Sequence, residues 1–299
     1  MINENDVDKL VNKLEKKLKI PVGSWNISYS KGKRKTRKRM YIQIHLDKQS
    51  IFGKFPLDIK DKSLVREAIL LDRISVKEFL IPKVILKTNE GFFMSAINGL
   101  PIELDLKEKG LLKGMRILNE AVAKIARFHK ETNVDKTDIG EIKIDSLLNE
   151  QSPSYKKEIL SRINTGYTHG DLDPFNMFFD RKTDHFGLID WEDFKKKGIQ
   201  ELDILHFLIM TAVILYPSDD YKTLYRKIFL KNTLLHRVFL KLIDIYCKII
   251  NQDANNIINL LPIYCDMQIQ RLLNASRNPN DFLYKTFKNQ FERYGTKNV

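Results

Sequence analysis

The feature that most constrains this chain is a change of hydrophobic period near residue 100. Before it, residues 25–30 and 40–47 alternate apolar with polar side chains, the pattern of strands with one buried face. Residues 51–57 form a third short strand, and 85–97 read as a hairpin turning at Asn89-Glu90-Gly91. Between them one helix is predicted over 63–75, with Leu64, Ala68 and Leu71 on one face. After Gly99-Leu100-Pro101 the spacing changes: Leu111, Met115, Leu118, Val122, Ile125 and His129 recur at helical intervals. Helical pattern then covers 220–231, 234–250, 254–274 and 281–293. The expectation is an α+β fold in two lobes. A small antiparallel sheet with one main helix occupies residues 1–97, and a larger, mostly helical lobe occupies 98–299.

Composition is consistent with this. The 299 residues are 43% hydrophobic with 13 Gly and 9 Pro, enough to bury a substantial core. The start, MINENDVDKL, is acidic and lacks the apolar stretch of a secretory signal, and Cys247 and Cys265 form no Cys-x-x-Cys. Reduced thiols in a cytoplasmic protein are expected. The segment LDILHFLIMTAVILY, 202–216, is almost wholly apolar but shorter than the roughly twenty residues a membrane span needs. It also carries Asp203 and His206, so it reads as the central helix of a water-soluble core.

Strand character returns in the second half only as a ribbon: Met177-Phe178-Phe179, a polar turn over 180–184, then 186–189. Just before it stands THGDLDPFNMFFD and just after it FGLIDWEDF, the densest cluster of reactive residue types in the chain. An antiparallel ribbon folded near Lys182 sets residues 176 and 190 side by side. Asp171, Asn176 and Asp190 therefore converge. Carboxylate and amide oxygens suit a hard cation such as magnesium, which takes few protein ligands and completes its shell with phosphate and water. With Asn176 and Asp190 on the metal, Asp171 is left to accept a proton from a hydroxyl, the division of labour that phosphoryl transfer requires. Taken singly, each of these residues is better explained as a turn former. Their joint occurrence in this spacing is expected on the order of once in a thousand such chains. In the first lobe Lys54 lies within a strand between Phe52 and Phe55, where a lysine calls for an anion. Glu67 stands beside the apolar stripe of the next helix and is its nearest candidate partner.

The segments VREAILLDRI, FFMSAINGLP, AKIARFHKET, YTHGDLDPFN and LIDWEDF fall in the order seen in the aminoglycoside phosphotransferase and choline kinase family, which the chain resembles from about residue 25 to 215. The resemblance implies a bilobal protein-kinase-like fold with ATP, or GTP, in the cleft. By that likeness Lys54 binds the α- and β-phosphates and pairs with Glu67, Asp171 is the catalytic base, and Asn176 and Asp190 hold Mg2+. The Ser95 carbonyl and Ile97 amide would receive the nucleotide base, and His169 would orient the catalytic loop. Departures from the pattern are Phe175, where glycine is frequent, Asp173, where histidine is common, and a first hairpin with Gly32 alone in place of a glycine-rich loop.

That hairpin carries KGKRKTRKR, seven cations in nine positions, within a chain of net charge +13. In a kinase-like lobe it would lie over the triphosphate, with Lys33 among its ligands and most of the remaining charges solvated. From Asp219 onward there are thirteen Lys or Arg against seven Asp or Glu, which disfavours a polycationic acceptor. A sugar, an amino alcohol or an anionic metabolite fits better, with Tyr216, Asp219, Asp220, Tyr221 and Tyr225 as candidate lining. Two alternatives stand beside this one: a pseudokinase-like nucleotide-binding module, and a nucleic-acid binder led by the basic loop. The second lacks aromatic residues within 31–39 to stack on bases.

Overall fold

The computed structural model describes residues 4–29, 38–46, 50–58, 61–134, 163–274 and 283–294. Most of the basic run, Lys33 included, lies outside the described residues.

The chain opens with α1 (Glu4–Leu18), whose Val7, Leu10, Val11 and Leu14 recur at helical spacing and are buried. This stripe covers one face of an antiparallel five-stranded sheet with order β1-β2-β3-β5-β4. The strands are β1 (Ser24–Tyr29), β2 (Arg39–His45), β3 (Ser50–Pro56), β4 (Val84–Lys87) and β5 (Phe92–Ser95). Met40, Ile42, Ile44, Ile51, Phe55 and Phe93 meet α1. Because strand side chains alternate, the residues between them face the other way. Phe92 and Met94 pack with Leu64, Ala68 and Leu71 of α2 (Ser63–Leu71), the helix predicted over 63–75. It stops at Leu71, with the Arg73 and Ile74 amides both donating to the Leu70 carbonyl.

The core that begins under α2 continues without a break into the helical part. Phe79 meets Phe128 edge-on at 5.9 Å, and Phe128 meets Trp191 at 6.3 Å. Two small sheets connect the layers. One has order β10-β9-β6, from β6 (Leu100–Pro101), β9 (Met177–Asp180) and β10 (His185–Leu188); the other joins β7 (Asn133–Val134), β8 (Thr165–Thr168) and β11 (Lys195–Ile199). The β9–β10 ribbon is the one expected from the sequence, with Leu188 opposite Met177.

The helical part is built on α3 (Ile102–Glu131), which breaks at Gly110 where φ is 69°, and on α4 (Glu201–Leu215). Nearly every side chain of α4 is buried, which is why the 202–216 stretch is apolar all round. No helix among the described residues is long and apolar enough to cross a membrane. Around α4 lie α5 (Tyr221–Phe229), capped by Asp220, α6 (Leu234–Ile250), capped by Thr233, α7 (Ala254–Asn259), capped by Asp253, α8 (Leu261–Asn274) and α9 (Leu283–Tyr294). The single helix expected over 254–274 is thus two. Pro262 has no amide hydrogen and its ring would strike the carbonyl four residues back, so the chain turns at Leu260 and starts again.

Candidate active site

Strand register decides where Lys54 points. It sits opposite Tyr41 on β2 and Phe92 on β5, so it shares Phe92's face and looks toward α2. Glu67 lies on the buried side of α2 with Leu64, Ala68 and Leu71. Lys54 Nζ donates to Glu67 Oε2 at 2.8 Å and to Asp190 Oδ1 at 2.7 Å, and it lies 2.7 Å from Glu192 Oε1. Burial would lower the Lys54 pKa, but Asp190, Glu67 and Glu192 together raise it well above the ordinary lysine value. Burial pushes Glu67 up to about 7 against the pull of Lys54. Glu67, Asp190 and Glu192 bring ligand oxygens within 4.8 Å of one another, and the ammonium stands among them as their counter-ion.

Glu192 lies in the Asp-Trp-Glu run after the ribbon, but the sequence pattern assigns it no role. Its other oxygen lies 3.2 Å from Arg39 Nη2, and Ser63 Oγ donates to it at 3.3 Å. Arg39 is the last of the seven cations in the basic run, and it is buried, bound to Asp61 and to Ser63 as well. One carboxylate beyond β10 therefore bridges cations on β2 and β3.

The loop from Thr168 to Asn176 is fixed from below by α4. Asp203 accepts the His169 amide at 2.7 Å and the Gly170 amide at 3.0 Å, and His129 Nε2 lies 3.5 Å away. Burial pushes the Asp203 carboxyl up, but His129 beside it and the loop amides outweigh this and hold it below its ordinary value. His169 itself is buried, with Nε2 2.9 Å from the Ile189 carbonyl, which ties the loop to the end of the ribbon. Gly170 has φ 82°, and a Cβ there would lie 2.3 Å from the Asp193 carbonyl oxygen, so no other residue fits.

At the ribbon's open end the Ile189 amide donates to the Asn176 carbonyl at 3.0 Å. Asn176 Nδ2 donates to the Asp171 carbonyl at 2.9 Å, which leaves its Oδ1 as the oxygen to offer a ligand. Asp173 caps the turn by accepting the Phe175 and Asn176 amides at 2.9 and 3.0 Å, and burial with the nearby Asp171 raises its carboxyl to about 6. Asp190 is in the left-handed region, φ 63° and ψ 60°, with its side chain 42% exposed. A strained, half-exposed carboxylate beside a buried ammonium is an arrangement found at functional sites.

Asp171 has partners that no local pattern announces. Arg271 Nη1 of α8 donates to its Oδ1 at 2.7 Å, and His206 Nε2 of α4 lies 3.3 Å from the same oxygen. Burial would raise this carboxyl, but His206 and Arg271 hold it well below the ordinary range. The one signal for His206 and Asp203 is their presence, three apart, on a helix otherwise apolar all round.

At the end of β5 the Ser95 amide donates to the Lys83 carbonyl at 2.9 Å and the Ala96 amide to the Ser50 carbonyl at 3.0 Å. Ile97 packs so closely on Gly187 that a Cβ there would come within 2.3 Å of it. Of the expected acceptor-side residues, Tyr225 does not line a surface. It is fully buried and packs on Phe229 and Phe287, because the apolar stripe of α5 turns it inward. Asp220 is spent as the cap of α5, and Asp219 pairs with Lys227, which also lies over the Tyr216 ring.

No family model and no curated protein matches this sequence. Solved structures do match in shape. A provisionally assigned aminoglycoside phosphotransferase of Ralstonia eutropha superposes with a TM-score of 0.55 at 14% identity, covering 95% of this chain and 94% of that one. A thermostable mutant of the aminoglycoside phosphotransferase APH(4)-Ia, in complex with AMP-PNP and hygromycin B, gives 0.54 at 10% identity over 97% and 99%. The streptomycin–ATP–APH(2'')-IIa ternary complex gives 0.50 at 16% identity over 96% and 99%. Likeness at such identities and nearly full length is a likeness of fold, and the chain accordingly has the protein-kinase-like fold of the aminoglycoside phosphotransferases.

Proposed function

We propose that the chain is a small-molecule kinase, transferring the γ-phosphoryl group of ATP, or of GTP, to a hydroxyl of a metabolite such as a sugar or an amino alcohol. The observation that carries this reading is the meeting of Lys54, Glu67 and Asp190 over a loop that offers Asp171 and Asn176. Similar structures holding ATP and AMP-PNP support it.

In this reading residues 1–97 bind the nucleotide and residues 98–299 carry the catalytic loop and the acceptor. Lys54, held by Glu67, takes the α- and β-phosphates. The Ser95 carbonyl and Ile97 amide take the base, and Lys33 reaches the phosphates from the basic loop. His169, pinned by Asp203 and the Ile189 carbonyl, orients the loop. Magnesium fits Asn176 and Asp190: one offers an amide oxygen and the other an exposed carboxylate. When bound, the ion neutralises charge on the phosphate oxygens. The acceptor oxygen forms a bond to the γ-phosphorus while the bond to the bridging β,γ oxygen breaks, releasing the nucleoside diphosphate. The hydroxyl proton passes to Asp171.

The acceptor is neutral or anionic, since the region beyond Asp219 is rich in lysine and arginine. A cytoplasmic setting accords with such metabolites. A phosphate-release and coupled nucleoside-diphosphate screen over hydroxyl-bearing metabolites tests the reading. Turnover that vanishes in Asp171→Ala and Asp190→Ala is the expected result. Nucleotide binding without turnover would leave the pseudokinase-like module in its place.

A further inference from the structure

Arg271 reaches the reacting end of the cleft from α8, a hundred positions after Asp171. Its planar guanidinium spans two carboxylates: Nη1 donates to Asp171 Oδ1 at 2.7 Å, and Nη2 to Asp193 Oδ2 at 2.5 Å. Nη1 also lies 3.4 Å from the Gly170 carbonyl. His206 approaches Asp171 at that same Oδ1. The second oxygen, Oδ2, has no partner among the described residues, and the Asp171 side chain is 21% exposed. An aspartate carboxylate turns about a single bond and offers either oxygen; a forked cation on one of them removes that freedom. Arginine suits the bridge because its two Nη groups are held apart in one rigid plane, one on each carboxylate, whereas a lysine would have to reach both from a single, freely rotating ammonium.

Resting on the phosphotransferase reading, we propose that Arg271 is the positioning residue of the reaction: it ties Asp171 by Oδ1 to Asp193, so that Oδ2 faces the acceptor hydroxyl. Arg271 then belongs to the chemical step and not to nucleotide capture.

The test compares wild type, Arg271→Lys, Arg271→Gln and Arg271→Ala in nucleoside diphosphate release, with water or an identified metabolite as acceptor. Melting curves confirm folding. A misplaced base costs about 10²-fold, so Arg271→Gln is expected to lower kcat by that factor with the nucleotide KM nearly unchanged. Arg271→Lys should keep the charge and lose most of the rate. Arg271→Ala should regain activity with millimolar guanidinium chloride but not with equal sodium chloride. Wild-type kcat in Arg271→Gln, or a loss confined to nucleotide KM, overturns the proposal. Should Arg271→Gln and Arg271→Ala fail to fold, wild-type kcat in Arg271→Lys overturns it alone. If wild type shows no Asp171-dependent turnover, the kinase reading falls and this with it. If wild type turns over, Asp171→Ala does not, and Arg271→Gln matches wild type, only the role of Arg271 falls.

Discussion

Replacing Asp203 by asparagine probes how the loop from Thr168 to Asn176 is held. The aspartate presents two acceptor oxygens to two backbone amides, at 2.7 and 3.0 Å, in a fully buried setting. Asparagine keeps one oxygen and turns an NH2 group toward the other amide, leaving a buried N–H facing a donor. Hydrogen bonds to a charged group are worth about 1.5–3 kcal/mol each, and an orphaned buried N–H costs about 1–3 kcal/mol. One such bond is lost outright and the other weakened, so Asp203→Asn should cost about 3 kcal/mol near neutral pH. The urea midpoint would fall at unchanged slope, and Tm would drop by roughly 6–12 °C. The pH dependence has a definite sign. The Asp203 carboxyl is held below its ordinary value, so its contribution is complete above about pH 4 and is lost as pH falls through the folded-state value. The two proteins should therefore converge in acid. A loss under about 1 kcal/mol at neutral pH, or a gap that widens in acid, would refute the reasoning.

Two further substitutions follow from buried charge. Glu192→Gln leaves Lys54 and Arg39 short of a counter-ion at a side chain 9% exposed, and should destabilise by about 2 kcal/mol or more; a thermal melt matching wild type would contradict this. Glu201 accepts the Asn164 amide at 2.7 Å while burial raises its carboxyl to about 7. Because the raised folded value favours the neutral form, wild type loses stability between about pH 4.5 and 7. The loss amounts to about 3 kcal/mol, since each pH step of one between those two values costs roughly 1.4 kcal/mol. Glu201→Gln should flatten that decline, and parallel urea midpoints for the two proteins at about pH 5 and pH 8 would rule it out.

The elements legible in the sequence are those whose side chains repeat against one neighbour. The hairpins at 24–56 and 84–95, the helix over 63–71 and the ribbon of Met177 to Leu188 all declare themselves by period. The expectation of one main helix before residue 97 leaves out α1, although its Val7, Leu10, Val11 and Leu14 keep the same periodicity. By contrast β11, KKKGI, has no apolar alternation and exists because β8 pairs with it. Within the site, the Ile189 amide pairs with the Asn176 carbonyl across a short turn, so local spacing suffices to set Asn176 beside the end of the ribbon. Arg271, His206 and Asp203 reach the loop of residues 168–176 through tertiary packing, and spacing along the chain says nothing of that. Arg39 shows the limit from the other side: it reads as one more solvated charge in a basic run, and a buried pairing takes it inside.

The unbroken apolar layer from Phe92 and Met94 through Phe79 and Phe128 to Trp191 has a practical meaning for anyone dissecting this molecule. Severing the polypeptide after residue 97 would not release two self-sufficient pieces. Each half would present a raw oily flank to water, so separately expressed fragments should cling to one another or precipitate. Any swing of the sheet over the helices must proceed as a slide of interleaved side chains.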